Sequence, residues 1–377
     1  MEGRRSSVNA HERYMAQALR LARRGDGRTS PNPMVGAVIV KGRRIVGQGY
    51  HHRAGASHAE VEALRQAGAK ARGATLYVTL EPCNHTGRTP PCCDAILSAG
   101  ISRVVVAAVD PNPLTNGRGL ARLRRAGLPI ITGVLDAEAQ RLNEPFRKAM
   151  RTGLPWVIAK VGQSLDGKIA TTSGQSRWIT SSTSRALGHQ WRRRVDAILV
   201  GVNTVLQDDP LLTARGRGAR RGRPMKVIAD SRLRTPLTAR CASAKSPAPL
   251  LIAAAVPDRA KQAAWARRGV EVAVFPAQRG RVPLRRVCRW LVRRGIQSVL
   301  IEGGGEVLAG AFAERLVDQV IWCIAPILIG GRSAPSSFGG AGIRRLSRAI
   351  RLSDVTARRL GPDLCIEARV VYPKPET

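Results

Sequence analysis

The sequence predicts a two-domain α/β protein, and three observations carry that reading. The chain has 377 residues, which at roughly 100–200 residues per domain suits two domains, each able to bury a core. Short apolar runs alternate with amphipathic stretches along most of the length, the layout of helices packed on sheets. The composition is that of a folded chain, 44% hydrophobic, with 38 glycines and 23 prolines punctuating the runs. No apolar run approaches the ~18 residues that a membrane span needs. The opening MEGRRSSVNAHERYM is charged and polar, with no secretory signal visible. A cytoplasmic, reducing setting is expected, and seven unevenly placed cysteines do not suit a disulfide scaffold.

Each element follows in chain order. Residues 9–24 place Tyr14, Ala18, Leu21 and Ala22 at helical spacing, with Gly25 closing the helix. MVGAVIV and RIVGQGY read as strands joined by a KGR turn. SHAEVEALRQAG reads as a helix with Ser57 as N-cap, Glu60 three residues later, and Val61 and Leu64 on its apolar stripe. ATLYVTL is a strand, PPCCDAILSAG a helix, and RVVVAAVD a strand buried on both faces. A GLARLRRAG helix and a short PIITGVL strand complete a three-layer α/β domain over residues 1–150. After a helix and connector at 141–153, the second domain takes 151–377. There WVIAKVGQSLDG, DAILVGVNTVLQ, PMKVIAD, PLLIAAAV, VEVAVF, SVLIEGGG and QVIWCIAPILIG read as strands, with helices such as SRALGHQWRRRV between them. QVIWCIAPILIG would suit a homo-oligomer interface as well as a core.

The charge needs its own account. Lys and Arg number 62 against 26 Asp and Glu, a formal +36, which raises nucleic acid or another polyanion as a partner. The excess is spread, +12 over residues 1–150 and +24 over the rest, unlike a single binding arm. Only 14 aromatic residues are present, few for a protein that stacks single-stranded bases. A small phosphorylated substrate is the better expectation, and not nucleic acid. Arg215–Arg223, RGRGARRGR, reads first as a solvated loop and second as a polyanion clamp.

The sharpest signal is His58-Ala59-Glu60, then Pro82-Cys83, then Cys92. One histidine and two cysteines supply three ligands for Zn²⁺ and leave the fourth tetrahedral position to water. Glu60, two residues past His58, is placed to move that water's proton to a ring nitrogen and a departing amine. Isolated cysteines are usually buried thiols, and Cys93, Cys241, Cys288, Cys323 and Cys365 are read that way. His-x-Glu at one helix start, then Pro-Cys, then a later Cys at a second helix start form the zinc nucleobase-deaminase pattern. The common Cys-x-x-Cys is replaced by a spacer of eight residues, NHTGRTPP.

With that spacer, HAEVEALRQAG and TLEPCNHTGRTPPC resemble the deaminase domain of the bacterial bifunctional riboflavin-biosynthesis deaminase/reductases. LPWVIAKVGQSLDGKIA, SRWIT, LVGVNTVLQDDPLLTAR and IEGGG are similar to the reductase half, so the resemblance covers the whole chain. It implies a cytidine-deaminase-like domain followed by a dihydrofolate-reductase-like one, with Zn²⁺ and NADPH as cofactors. It also implies hydrolytic deamination of a phosphoribosylaminopyrimidine, then reduction of its ribosyl group to ribityl. Carried over by position, Asn32, His51, His85, Arg88 and Thr89 would contact substrate in the first domain. For each alone a turn or capping role is equally open, as it is for Asp110–Pro113 and Asn116–Gly119. In the second, Gly162, Trp178, Thr204, Asp208, Ser231 and the turn Gly304, Gly305, Glu306, Val307, Leu308, Ala309 and Gly310 would contact NADPH. Ser176, Arg192, Leu212, Arg215 and Glu302 would contact substrate, the two arginines suiting its 5′-phosphate. Lys168, in the SLDGK turn, is either structural or near the coenzyme.

Overall fold

Strand residues of the N-terminal half are apolar at successive positions, so both faces of their sheet need cover. The structure is a computed structural model that describes residues 2–87, 90–215, 224–243 and 248–374. The chain divides into two compact units, Met1–Gly153 and Leu154–Thr377. The first contains α1 (Glu2–Ala22), β1 (Gly36–Lys41), β2 (Arg44–Tyr50), α2 (Ala59–Ala67), β3 (Thr75–Leu80), α3 (Cys92–Ser98), β4 (Arg103–Ala108), α4 (Arg118–Arg125), β5 (Ile130–Thr132), α5 (Asp136–Leu142) and α6 (Glu144–Thr152). Its sheet runs β2-β1-β3-β4-β5, antiparallel around β1 and parallel from β3 onward. Val38, Val40, Tyr77 and Val105 share a core with α1 and α5. Their strand neighbours Ile39, Leu76, Val78 and Val104 share the opposite core with α2, α3 and α4. The result is three layers.

Close approach sets the position of α2. A Cβ on Gly47 would meet the Ala63 carbonyl at 2.2 Å, and one on Gly49 the Ala59 carbonyl at 2.4 Å. Only glycines let the helix backbone lie directly on β2, which fixes the helix end carrying His58 and Glu60. One local expectation fails there. His58, not Ser57, occupies the N-cap, and no side chain caps the helix. The His58 ring is turned toward Cys83 and Cys92, while the Ser57 carbonyl accepts a hydrogen bond from His51.

The second unit contains β6 (Trp156–Ser164), α7 (Ser182–Arg194), β7 (Ala197–Gly201), α8 (Val202–Asp208), β8 (Met225–Ala229), β9 (Leu250–Ala254), α9 (Arg259–Ala266), β10 (Glu271–Val274), α10 (Leu284–Arg293), β11 (Ser298–Glu302), α11 (Gly305–Ala313), β12 (Val317–Ala325), β13 (Arg351–Leu360) and β14 (Asp363–Val371). Strand order is β10-β9-β8-β7-β11-β6-β12-β14-β13, parallel up to β12 and antiparallel beyond. β11 inserts between β6 and β7, where the order of travel across the sheet switches. Open α/β sheets form ligand clefts at the carboxyl ends of the strands beside such a switch.

Three segments differ from the sequence reading. DAILVGVNTVLQ is a strand only to Gly201; Val202 and Val205, three apart, then pack α8 onto the core. QVIWCIAPILIG leaves the sheet after Ala325, and Leu328 is 75% exposed. The β13–β14 hairpin has no counterpart in the pattern reading. No described helix is long and apolar enough to cross a membrane.

Candidate active sites

His58, Cys83 and Cys92 converge in the N-terminal unit, their ligand atoms all within 4.8 Å of one another. His58 arrives from the start of α2, Cys83 from the loop after β3, and Cys92 from the first residue of α3. His58 Nδ1 lies 3.1 Å from Cys92 Sγ and 3.5 Å from Cys83 Sγ. Zinc bonds of about 2.0–2.3 Å place tetrahedral donors roughly 3.3–3.8 Å apart; Cys83 stands at that spacing from His58 and Cys92 slightly inside it, and one imidazole with two thiols is a donor set that fits the ion. The Cys92 backbone N–H donates to Cys83 Sγ at 3.2 Å. Hydrogen bonding from Cys92, outweighing burial, pulls the Cys83 thiol well below its ordinary range. Glu60 is 3% exposed beside this cluster, and burial, opposed by His58, pushes its carboxyl up to about 7.

Two expected substrate contacts are joined to each other and to the cluster. Asn32 Nδ2 donates to His51 Nε2 at 3.0 Å, and His51 Nδ1 donates to the Ser57 carbonyl at 3.1 Å. That pairing makes His51 a neutral tautomer, in line with burial, the largest influence, lowering its pKa. Its ring meets His58 edge-on at 5.5 Å. His85 Nδ1 is buried with no hydrogen-bond partner among the described residues, so a donor or acceptor is left for a ligand. Arg88 and Thr89 lie outside the described residues.

In the C-terminal unit one cleft is lined by Gly162, Ser176, Trp178, Arg192, Thr204, Asp208, Leu212, Arg215, Ser231, Glu302 and the whole Gly304–Gly310 turn. Gly303 and Gly304 have φ of 79° and 78°, so β11 turns into α11 through a conformation that favours glycine. A Cβ on Gly304 would lie 3.4 Å from Thr204 Oγ1. Trp178 is 69% exposed, with Arg185 stacked 4.4 Å from its ring centre. Ser176 donates to Asp208 Oδ1 at 2.5 Å. The Lys168 ammonium donates to the Ala334 carbonyl at 3.2 Å, a structural bond. Residues 216–223 of the basic loop lie outside the described residues.

Arg192 differs from a free phosphate partner. Its Nε and Nη2 donate to Glu302 Oε2 at 2.8 and 2.5 Å, and its Nη1 donates to the Thr213 carbonyl at 2.9 Å. Burial alone would raise the Glu302 pKa; Arg192, then Lys160 and His189, outweigh it and hold it below the ordinary value. The pair therefore stabilises the fold above about pH 4 and loses that contribution as pH falls through the lowered value. With the side chains only 19% and 11% exposed, Arg192→Met is expected to cost about 3 kcal/mol in urea unfolding, and adding Glu302→Gln to recover much of it. Single and double variants as stable as wild type would contradict a structural pair.

Pattern reading missed Arg185 and His189, which line the cleft with Arg192. Their spacing of four and three residues puts them on one face of α7, a signal the sequence does hold. Trp191, Trp290 and Trp322 pack at the edges of the two cores. Cys93, Cys241, Cys288, Cys323 and Cys365 are all buried, and Cys323 stands opposite Cys365 across β12 and β14.

An imidazole–dithiol centre with an adjacent buried carboxylate, on a three-layer sandwich, defines the zinc-dependent nucleobase deaminases. Residues 8–108 match the cytidine and deoxycytidylate deaminase zinc-binding region, and residues 155–366 match the RibD C-terminal domain. The chain belongs to the RibD family of riboflavin-biosynthesis proteins. It is 43% identical to the riboflavin biosynthesis protein RibD of Bacillus amyloliquefaciens over 357 residues, 95% of each chain. Acinetobacter baumannii RibD, form 2, superposes with a TM-score of 0.87 at 38% identity, covering 97% of this chain and 100% of that one. A Thermotoga maritima diaminohydroxyphosphoribosylaminopyrimidine deaminase/5-amino-6-(5-phosphoribosylamino)uracil reductase superposes at 0.84 and 33% identity, covering 97% and 100%.

Proposed function

We propose that this chain runs two consecutive steps of riboflavin biosynthesis, divided near the boundary between its units. The N-terminal unit deaminates 2,5-diamino-6-(5-phosphoribosylamino)pyrimidin-4(3H)-one. The C-terminal unit reduces the ribosyl group of the product with NADPH, giving 5-amino-6-(5-phosphoribitylamino)uracil. The observation that carries the reading is Glu60, buried against the His58, Cys83 and Cys92 cluster.

When bound, zinc supplies the Lewis acidity that makes water nucleophilic near neutral pH. His58, Cys83 and Cys92 hold the ion. Glu60 takes a proton from the attacking water and gives it to the ring nitrogen, then takes the proton of the newly added hydroxyl and gives it to the leaving amine, so that the C–N bond breaks and ammonia departs. Asn32, His51 and His85 face the pyrimidine, with Arg88 and Thr89 in the adjoining spacer taking the rest of the substrate. When bound, NADPH supplies the reducing equivalent. The Gly304–Gly310 turn receives its phosphates at the start of α11, with Gly162, Trp178, Thr204, Asp208 and Ser231 along the same cleft. Ser176, Leu212 and Arg215 border the substrate, and the Arg192–Glu302 pair shapes its pocket. Seven cysteines, none in a disulfide, suit a cytoplasmic location.

The cleft assignment has a direct test. A Cβ on Gly305 would sit 2.5 Å from the Ser336 carbonyl, so Gly305→Ala must shift the start of α11. The variant is expected to raise the KM for NADPH about tenfold and weaken NADPH binding in calorimetry similarly, a loss of about 1.4 kcal/mol. Ammonia release should be unchanged. Wild-type NADPH affinity in Gly305→Ala would move the coenzyme site elsewhere.

A further inference from the structure

The residue just before the Pro82-Cys83 pair has no role in the chemistry above. Glu81 is 3% exposed, and its carboxylate accepts four backbone hydrogen bonds. Oε2 receives the N–H groups of Asp110 and Gly117 at 3.2 and 2.9 Å, and Oε1 those of Gly119 and Leu120 at 3.0 and 3.2 Å. One side chain thus gathers the end of β4 and the first turn of α4. Negative charge at a helix start with its N–H groups unpaired is favourable.

The same turn is pressed against the metal-ligand loop. A Cβ on Gly119 would fall 2.0 Å from the Pro82 carbonyl oxygen. The Cys93 thiol, beside Cys92, reaches the carbonyls of both Pro82 and Gly119 at 3.7 Å. One turn further along α4, Arg122 donates to Asn84 Oδ1 at 3.0 Å and pairs with Asp94. Asn84 follows Cys83, and Asp94 lies two residues past Cys92. The first two turns of α4 are therefore the common support of the loop that carries Cys83 and the start of α3 that carries Cys92.

We propose that Glu81 is a positioning residue of the metal centre: by clamping the start of α4 against Pro82, it sets where Cys83 presents its sulfur. The proposal rests on the zinc reading of His58, Cys83 and Cys92. Groups that orient metal ligands from behind typically change metal affinity about 10–100-fold when replaced. Glu81→Gln keeps the size but replaces one acceptor oxygen with an amide that faces N–H donors. Gly119→Ala perturbs the same contact from the other side and leaves the carboxylate intact.

Both variants, as full-length chains, are to be measured for zinc content, for zinc transfer to a competing chelator, and for kcat and KM of ammonia release. NADPH oxidation with the deaminated substrate reports that the second unit is folded, and a cooperative melting transition with ammonia release at saturating zinc reports that the first is. The expected result is zinc held 10–100-fold more weakly, with a lower kcat for ammonia release at saturating zinc and an unchanged NADPH reaction. A merely structural glutamate would lower the melting temperature and leave zinc transfer and kcat at wild-type values. That outcome in either folded variant overturns the proposal. A wild-type chain that binds no zinc would instead overturn the reading of the centre itself.

Discussion

Glu60→Gln is expected to abolish ammonia release, by about a thousandfold or more, while leaving one zinc per chain and the NADPH reaction intact. The size follows from the two proton transfers assigned to this carboxylate, since one positioned acid–base group contributes roughly 10²–10⁴-fold. Glutamine keeps the shape and neutrality that the burial of Glu60 tolerates but neither accepts nor returns the proton. Zinc content should hold, because the donors are His58, Cys83 and Cys92. Ammonia assays and metal analysis on the same preparation check both halves. Residual ammonia release within tenfold of wild type would remove Glu60 from the chemistry.

Cys92→Ser should separate the two activities even more sharply. Cys92 is fully buried at the first position of α3, and a serine oxygen there is a shorter and harder ligand than a thiolate. Zinc affinity is expected to fall at least about a hundredfold, since even changes behind the ligands cost roughly 10–100-fold. Ammonia release should disappear with the metal. NADPH oxidation with the deaminated substrate should stay within about twofold of wild type, because the cleft residues all lie in the other unit. Chelation of the wild-type enzyme should reproduce this pattern, and zinc should reverse it. If the NADPH reaction falls in parallel, the two sites do not operate independently.

How much of this the residues announced depended on where the information sits. His58, Cys83 and Cys92 were legible because few side-chain types hold zinc, and Glu60 because it follows His58 by two residues at a helix start. The alternating strands were legible because β4 after Arg103, and all of β7, are runs of buried residues without a polar side chain. β13 was not, since nine of its ten residues are exposed and no stripe marks it. The break at Gly201 was hidden because Val202 carries the apolar strand on by one residue and Val205 and Leu206 follow soon after; the three-residue spacing of buried Val202 and Val205 belongs to a helix. The capping pattern at Ser57 was misleading for a chemical reason, His58 being committed to the metal cluster. The cleft followed from family resemblance; its glycines alone read first as a turn. The engagement of Arg192 with Glu302 and the four bonds to Glu81 join residues distant in sequence, so no local pattern records them.

The central claim is an order of events: deamination at the metal centre makes the substrate that the cleft reduces. It is tested most directly by giving Glu60→Gln the diaminopyrimidine phosphoribosyl substrate and the deaminated one in separate NADPH assays. The account predicts wild-type oxidation with the deaminated substrate and essentially none with the diamino one. Oxidation of NADPH at the wild-type rate with the diamino substrate would contradict it, because reduction would then not require the first step.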